Sequence, residues 1–203
     1  MVVKGMRLLM RVKDKMERQI YIDEKTQEAK DLLKTIKRKG MSKLIKYMEE
    51  GGFFKAPAST KWHGVYRGGL LIHSYNVYKE FLNHCNKYNI NFSIESIIIC
   101  AFGHDLCKMG MYVELDEGKY GYTGLKRKYH SILSIERLKK YIELTPEEET
   151  IIRFHMGIYG TTEFDSKYGE YNLKELTDAY NKNKLAKLFY FCDDIASMFL
   201  EKK

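Results

Sequence analysis

The strongest periodic signal in the chain runs from Leu70 to about Tyr88, where Leu70, His73, Val77, Phe81 and Cys85 recur at spacings of three or four. That spacing predicts a helix whose core-facing stripe includes His73 and leaves His84 off the stripe, toward solvent. Ser93 is placed to cap a second helix from Ile94 to about Cys107, and the unbroken apolar run from Ile97 to Phe102 marks it as a central, buried element. His104 and Asp105 terminate that run. Thr145-Pro146-Glu147-Glu148 combines an N-cap Thr, a Pro at the first helical position and a Glu three residues after the cap. This is a capping box, and it heads a helix reaching His155 and stopped by Gly157. A last long helix is expected from about Lys184 to Leu200, with Leu185, Leu188, Phe189, Cys192, Ala196 and Phe199 as its apolar stripe and Asp193 and Asp194 interrupting it.

Upstream, the polar pattern predicts a helix from about Thr26 to Lys39 and another from about Ser42 to Glu50, with Gly40 and Gly51-Gly52 as natural stops. Phe53 to Gly69 reads as an irregular loop carrying Trp62, His63, Tyr66 and Arg67, and loops of this kind often bear function. The Tyr-rich stretch from Met111 to Thr123, with Asp116-Glu117-Gly118 resembling a turn, is compatible with a short hairpin. Another helix starts near Ser131. With only two prolines and no internal repeats, the expected fold class is all-α with at most one short β-hairpin. The expected organisation is an N-terminal helical extension over residues 1–40 and one main domain over 41–203.

Composition narrows the class. A hydrophobic fraction of 44% with 16 Tyr and 10 Phe argues for a folded globule despite 31% charged residues. No apolar run approaches the roughly 18 to 20 residues of a membrane span, and the first residues lack a signal-peptide cleavage pattern, so a cytoplasmic protein with no membrane partner is expected. Cys85, Cys100, Cys107 and Cys192 form no C-x-x-C pair and sit mostly among apolar neighbours, which favours reduced core thiols over a disulfide framework or structural zinc. The net charge of +8 suits an anionic partner such as a nucleotide or a nucleic acid, and equally a lysine-rich solvated surface.

Against that background the ionisable residues stand out, because His73, His104-Asp105, His130, His155 and Asp193 or Asp194 all fall within or at the ends of expected helices, mostly beside strongly apolar sequence. Burying such groups unpaired costs several kcal/mol, which a partner or a metal ion must compensate. Each alone has an ordinary explanation as a hydrogen-bonded core residue. Together they form a set of imidazoles and carboxylates suited to Mn, Fe, Co, Ni or Zn. Adjacent His104 and Asp105 project about 100° apart on a helix and can face one ion only at a helix end, which Gly103 makes accessible.

Gly68-Gly69-Leu70-Leu71-Ile72-His73-Ser74, then Ala101-Phe102-Gly103-His104-Asp105-Leu106-Cys107-Lys108, then a late Asp193 resemble in that order the HD superfamily of metal-dependent phosphohydrolases, over roughly residues 43 to 200. The stretches from Ala56 to Gly64 and from Arg153 to Gly157 resemble small HD-domain hydrolases of Firmicutes and their phages. The sequence departs from the pattern at Ile72, where Glu is common. The resemblance implies a helical HD-domain bundle with His73, His104, Asp105 and Asp193 as primary metal ligands. His130 and His155 match the extra histidines of dinuclear members, with Asp105 bridging. The tandem Asp193-Asp194 leaves two choices for the last ligand, and the following Ile-Ala-Ser favours Asp193.

The implied chemistry is hydrolysis of a phosphate ester or anhydride of a nucleotide or similar small phosphorylated metabolite, by water activated on one or two divalent transition ions. Asp105 would stand at the catalytic centre, and Lys108 would reach phosphoryl oxygens, pair with Asp105 or simply complement the helix dipole. Lys61, His63 and Arg67 are the candidate substrate-binding residues, with Trp62 or Tyr66 offering a face to a base, although a lone Trp serves equally as a core anchor. Lys126-Arg127-Lys128 reads as a solvated basic turn or a second phosphate patch. Two alternatives remain beside this: a phosphodiesterase or nuclease acting on cyclic nucleotides, dinucleoside polyphosphates or single strands, and a non-catalytic metal-containing binding protein.

Overall fold

The computed structural model describes residues 2–116, 118–124 and 129–201, with side chains from residue 15 onward. The described residues form α1 (Val2–Thr35), α2 (Met41–Glu50), α3 (Gly69–Lys87), α4 (Ile94–Gly103), β1 (Tyr112–Asp116), β2 (Lys119–Tyr122), α5 (His130–Lys139), α6 (Pro146–Arg153), α7 (Leu173–Lys182) and α8 (Lys184–Ile195). The fold is all-α with one antiparallel hairpin, in which Tyr112 faces Tyr122 and Glu114 faces Tyr120. No described helix is long and apolar enough to cross a membrane.

The core is built on α3 and α4, with α1, α6 and α8 packed around them. Ser93 accepts the Ser96 N–H and starts α4, whose residues from Ser96 to Gly103 are all buried, because neighbours cover it on every side. Phe81 of α3 meets Phe189 of α8 edge-on, with ring centroids 5.1 Å apart. At the far end of α4, a Cβ on Gly103 would lie 2.8 Å from Leu138 Cδ1. The missing side chain lets α5 press against α4 where the chain turns, and this sets the direction of His104 and Asp105.

Segment 53–68 is closed by backbone bonds rather than by regular structure: Ala58 N–H donates to Gly64 O, Gly68 N–H to Lys55 O, and Leu70 N–H to Ala56 O. A Cβ on Gly69 would fall 1.9 Å from Gly64 O, so only glycine allows the loop to fold against the first turn of α3.

Three sequence expectations are corrected. The first helix does not begin at Thr26 but runs without interruption from Val2 to Thr35, ending before the turn at Gly40. Its buried residues Ile22, Ala29 and Leu33 share one narrow stripe, and charge on the other faces hides the periodicity. The last helix stops at Ile195 and widens into a π-turn over Ala196–Leu200, which throws Phe199 into solvent (76% exposed) instead of the core. His84 is half-buried, with its Nδ1 bonded to Glu80 O. The Thr145 capping box forms as expected, and all four cysteines are free and buried.

Candidate metal centre

Six side chains from five helices meet at one buried point. His73 comes from the second turn of α3, His104 and Asp105 from the turn ending α4, His130 from the first residue of α5, His155 from just beyond α6, and Asp193 from the last turn of α8. His73 Nε2 lies 3.2 Å from His104 Nε2, 3.1 Å from Asp193 Oδ1 and 3.7 Å from Asp105 Oδ2. His104 Nε2 is 3.5 Å from that same Oδ2. The other oxygen of Asp105 turns the opposite way: Oδ1 is 2.7 Å from His130 Nε2 and 3.7 Å from His155 Nε2.

All four histidines present Nε2 to the cluster because Nδ1 is engaged elsewhere. His104 Nδ1 meets Ala101 O at 2.9 Å and His155 Nδ1 meets Ile152 O at 2.7 Å. A carbonyl can only accept, so these Nδ1 atoms carry the proton and a neutral ring offers a bare Nε2 lone pair. His73 Nδ1 is bonded to Glu201 Oε1 at 2.9 Å, and His130 Nδ1 lies 2.9 Å from Cys107 Sγ.

Charge is distributed unevenly across the cluster. Burial lowers His104 below the usual histidine value and, reinforced by the neighbouring imidazoles, lowers His155 to about 4. Burial also opposes charge on His73, but the Glu201 and Asp193 carboxylates outweigh it and raise that ring to about 10. Desolvation likewise works against ionised Asp105 and Asp193. Lys108 with His104 and His130 holds Asp105 well below the carboxylate range, and His73 does the same for Asp193.

His155 Nε2 and Asp105 Oδ1 are both buried and have no hydrogen-bond partner; the 2.7 Å approach of His130 to that oxygen lacks hydrogen-bond alignment. With His155 neutral and Asp105 ionised, lone pairs face lone pairs, an arrangement that a cation satisfies and a hydrogen bond does not. Two ligand atoms about 2.0–2.1 Å from one ion lie roughly 2.8–3.4 Å apart at octahedral or tetrahedral angles. The separations from His73 Nε2 to His104 and to Asp193 match that spacing, and Asp105 Oδ2 stands slightly farther off at 3.7 Å. These residues therefore fit a nitrogen-rich transition-metal site, with His73, His104, Asp105 and Asp193 on one side of the Asp105 carboxylate and His130 and His155 on the other.

The remaining residues singled out in the sequence are spread more widely. Lys108, in the 3-10 turn Leu106–Lys108, places Nζ 2.5 Å from Asp105 Oδ2. His63 Nδ1 lies 2.7 Å from Glu201 Oε2, and its ring centroid is 4.6 Å from that of His73. Ser59 shapes this turn, its Oγ accepting the N–H groups of Trp62 and His63. Lys61 is exposed, and so is Trp62 at 69%, which is therefore not a core anchor. Tyr66 stacks under Arg18, and Arg67 lines a separate cavity of about 340 Å³ with Gln19, Asp23, Lys30 and Lys55, away from the clustered histidines. Asp194 belongs to none of the candidate ligand groups. Lys126, Arg127 and Lys128 lie outside the described residues.

Glu201 is the residue that the sequence did not flag. Its only signal was an acid following the apolar triplet Met198-Phe199-Leu200, with no periodicity to place it. Around the other half of the centre, Glu170 accepts from Ser131 N–H, Ser131 Oγ and Arg153 Nη1, bracing the segments that carry His130 and His155.

No protein-family profile matches this chain, and no solved structure does either. A curated relative, the dihydroneopterin 2',3'-cyclic phosphate phosphodiesterase of Methanocaldococcus jannaschii, is 29% identical over 112 residues. The match takes in 53% of this chain and 45% of that protein. A distant relative of the chain is thus a phosphodiesterase.

Proposed function

We propose that the chain is a metal-dependent phosphohydrolase of the HD type, and that within this class it opens a phosphodiester bond in a small substrate such as a cyclic phosphate of a nucleoside-like molecule.

 The observation that carries this reading is the single Asp105 carboxylate with its two oxygens turned to two sets of imidazole Nε2 atoms, at a buried point where lone pairs lack partners. The phosphodiesterase relative supports the choice of a phosphodiester over a monoester or anhydride. The net charge of +8 favours an anionic substrate of any of these kinds.

His73, His104, Asp105 and Asp193 would hold one divalent transition ion, and Asp105, His130 and His155 a second. Ions bound to such residues supply an activated water and neutralise phosphoryl charge. The chain's own part is positional. Carbonyl bonds to Nδ1 of His104 and His155 hold those rings in one tautomer, so no reorganisation is needed when substrate arrives. Lys108 keeps Asp105 ionised and places an ammonium beside the point where phosphoryl oxygens would sit. His63, on the loop before α3, is the neighbouring polar group best placed to meet the rest of the substrate, and exposed Trp62 beside it offers a ring face to a base.

The test is direct. Purified protein is reloaded in turn with Mn, Fe, Co, Ni or Zn, then given 2',3'-cyclic phosphates, phosphomonoesters, nucleoside triphosphates and labelled oligonucleotides. Turnover of the cyclic phosphates with at least one metal, abolished in His104→Ala and Asp105→Ala, is the expected result. Metal uptake without turnover of any of these substrates would favour a binding protein instead. Salt-sensitive cleavage of oligonucleotides would move the assignment to a nuclease.

A further inference from the structure

Glu201 follows three exposed residues, Met198, Phe199 and Leu200, yet its own side chain is fully buried. The π-turn at the end of α8 directs the chain back toward the core, and the carboxylate ends between two imidazoles. Oε1 takes Nδ1 of His73 at 2.9 Å, and Oε2 takes Nδ1 of His63 at 2.7 Å. On the opposite side of the His73 ring, Nε2 faces Asp193 Oδ1 at 3.1 Å. One helix and its terminal turn therefore grip both nitrogens of His73.

His73 needs this partner more than the other histidines do. His104 and His155 sit at helix ends and bond their Nδ1 atoms to carbonyls three residues back. His73 lies inside α3, where the carbonyls of the preceding turn are committed to the helix ladder. A carboxylate on Nδ1 fixes the ring's orientation, keeps the proton on that nitrogen and makes Nε2 a stronger ligand. The second oxygen ties His63, and with it the 59–63 turn, to the same group.

We infer that Glu201 is a positioning residue: its carboxylate orients His73 for metal binding and locks the His63 loop against the centre. This rests on the metal-dependent reading above. Glu201 touches neither ion nor substrate in this role. It acts through the two rings.

Two measurements separate the inference from the reading it rests on. The first uses metal-free protein and follows the His73 Nδ1–H proton by NMR, assigned with a His73→Gln variant. In wild type this proton is expected downfield and protected from exchange; in Glu201→Ala it should lose both properties. The second is Co²⁺ binding, read by visible absorption. Glu201→Ala should bind Co²⁺ roughly 10- to 100-fold more weakly. Glu201→Gln, which retains one acceptor oxygen, should fall between it and wild type. His63→Ala leaves the Glu201–His73 bond in place and should bind Co²⁺ nearly as wild type does.

Circular dichroism and thermal melting check that each variant is folded, and Glu201→Gln serves if the alanine variant is not. Wild-type Co²⁺ affinity with an unchanged His73 Nδ1–H signal in the folded Glu201 variants would overturn the inference. Failure of wild type to bind any metal would instead overturn the reading beneath it, while the metal-free NMR comparison would still decide whether Glu201 holds His73.

Discussion

Asp105 concentrates the physical problem of this protein in one side chain. It is buried among four imidazole rings and an ammonium, and its two oxygens face different neighbours. Asp193 completes one side, whereas its neighbour Asp194 is drawn into no ligand group. Asp193→Ala should therefore weaken metal binding by at least the roughly 10- to 100-fold seen when an outer partner is lost. Asp194→Ala should leave it unchanged. Isothermal titration of both variants with one metal checks the pair, and equal losses would contradict the assignment of position 193. The sequence made most of these residues visible because a His or Asp beside an apolar run such as Ile97–Phe102 has no cheap place in a core. Glu201 escaped because its burial depends on a π-turn, which leaves no mark in the spacing of apolar residues.

Between elements, the clearest fixed point is the ion pair that joins the turn after α1 to the start of α6. Arg38 Nη1 and Nη2 reach Glu148 Oε2 and Oε1 at 2.7 and 2.9 Å, and Glu148 also accepts the Thr145 N–H. Desolvation raises the Glu148 pKa, but the bonds from Arg38, Ser96 and Thr145 outweigh it, and the net shift is below the ordinary 4.5. A depressed carboxyl contributes stability that is present above its unfolded value and lost as pH falls through its folded value. Glu148→Gln should thus cost about 3 kcal/mol at neutral pH, near the low end for breaking a buried pair. The gap to wild type should close as pH drops below the glutamate range. Urea midpoints at the two pH values measure it, and a gap independent of pH would mean that packing, not charge, carries the effect. The Thr145 cap was legible because a capping box is a local four-residue pattern. The true start of α1 was not, since its stripe of buried residues is narrow and its other faces are charged.

For the whole molecule, the fold class followed from helical spacing, scarce proline and well-placed caps, all of which act over short stretches of chain. How the helices would meet was not contained in any one of them; it depends on close approaches such as Gly103 against Leu138. If the centre takes a divalent ion, its removal should lower the melting temperature. An ion at 100 times its Kd adds about 2.7 kcal/mol, or roughly 5–10 °C for a chain of this length. Calorimetry with and without a chelator measures the shift, and no shift would count against an ion at this point.

The candidate ligand residues are scattered from position 73 to position 193, and each of the two proposed sets draws on three of the five helices. An unfolded chain consequently presents neither set assembled, and tight capture of an ion would wait until the helices have docked. An ion held there would act as a late clasp: added metal should slow unfolding while leaving the refolding rate almost untouched, a difference that stopped-flow traces in denaturant would expose.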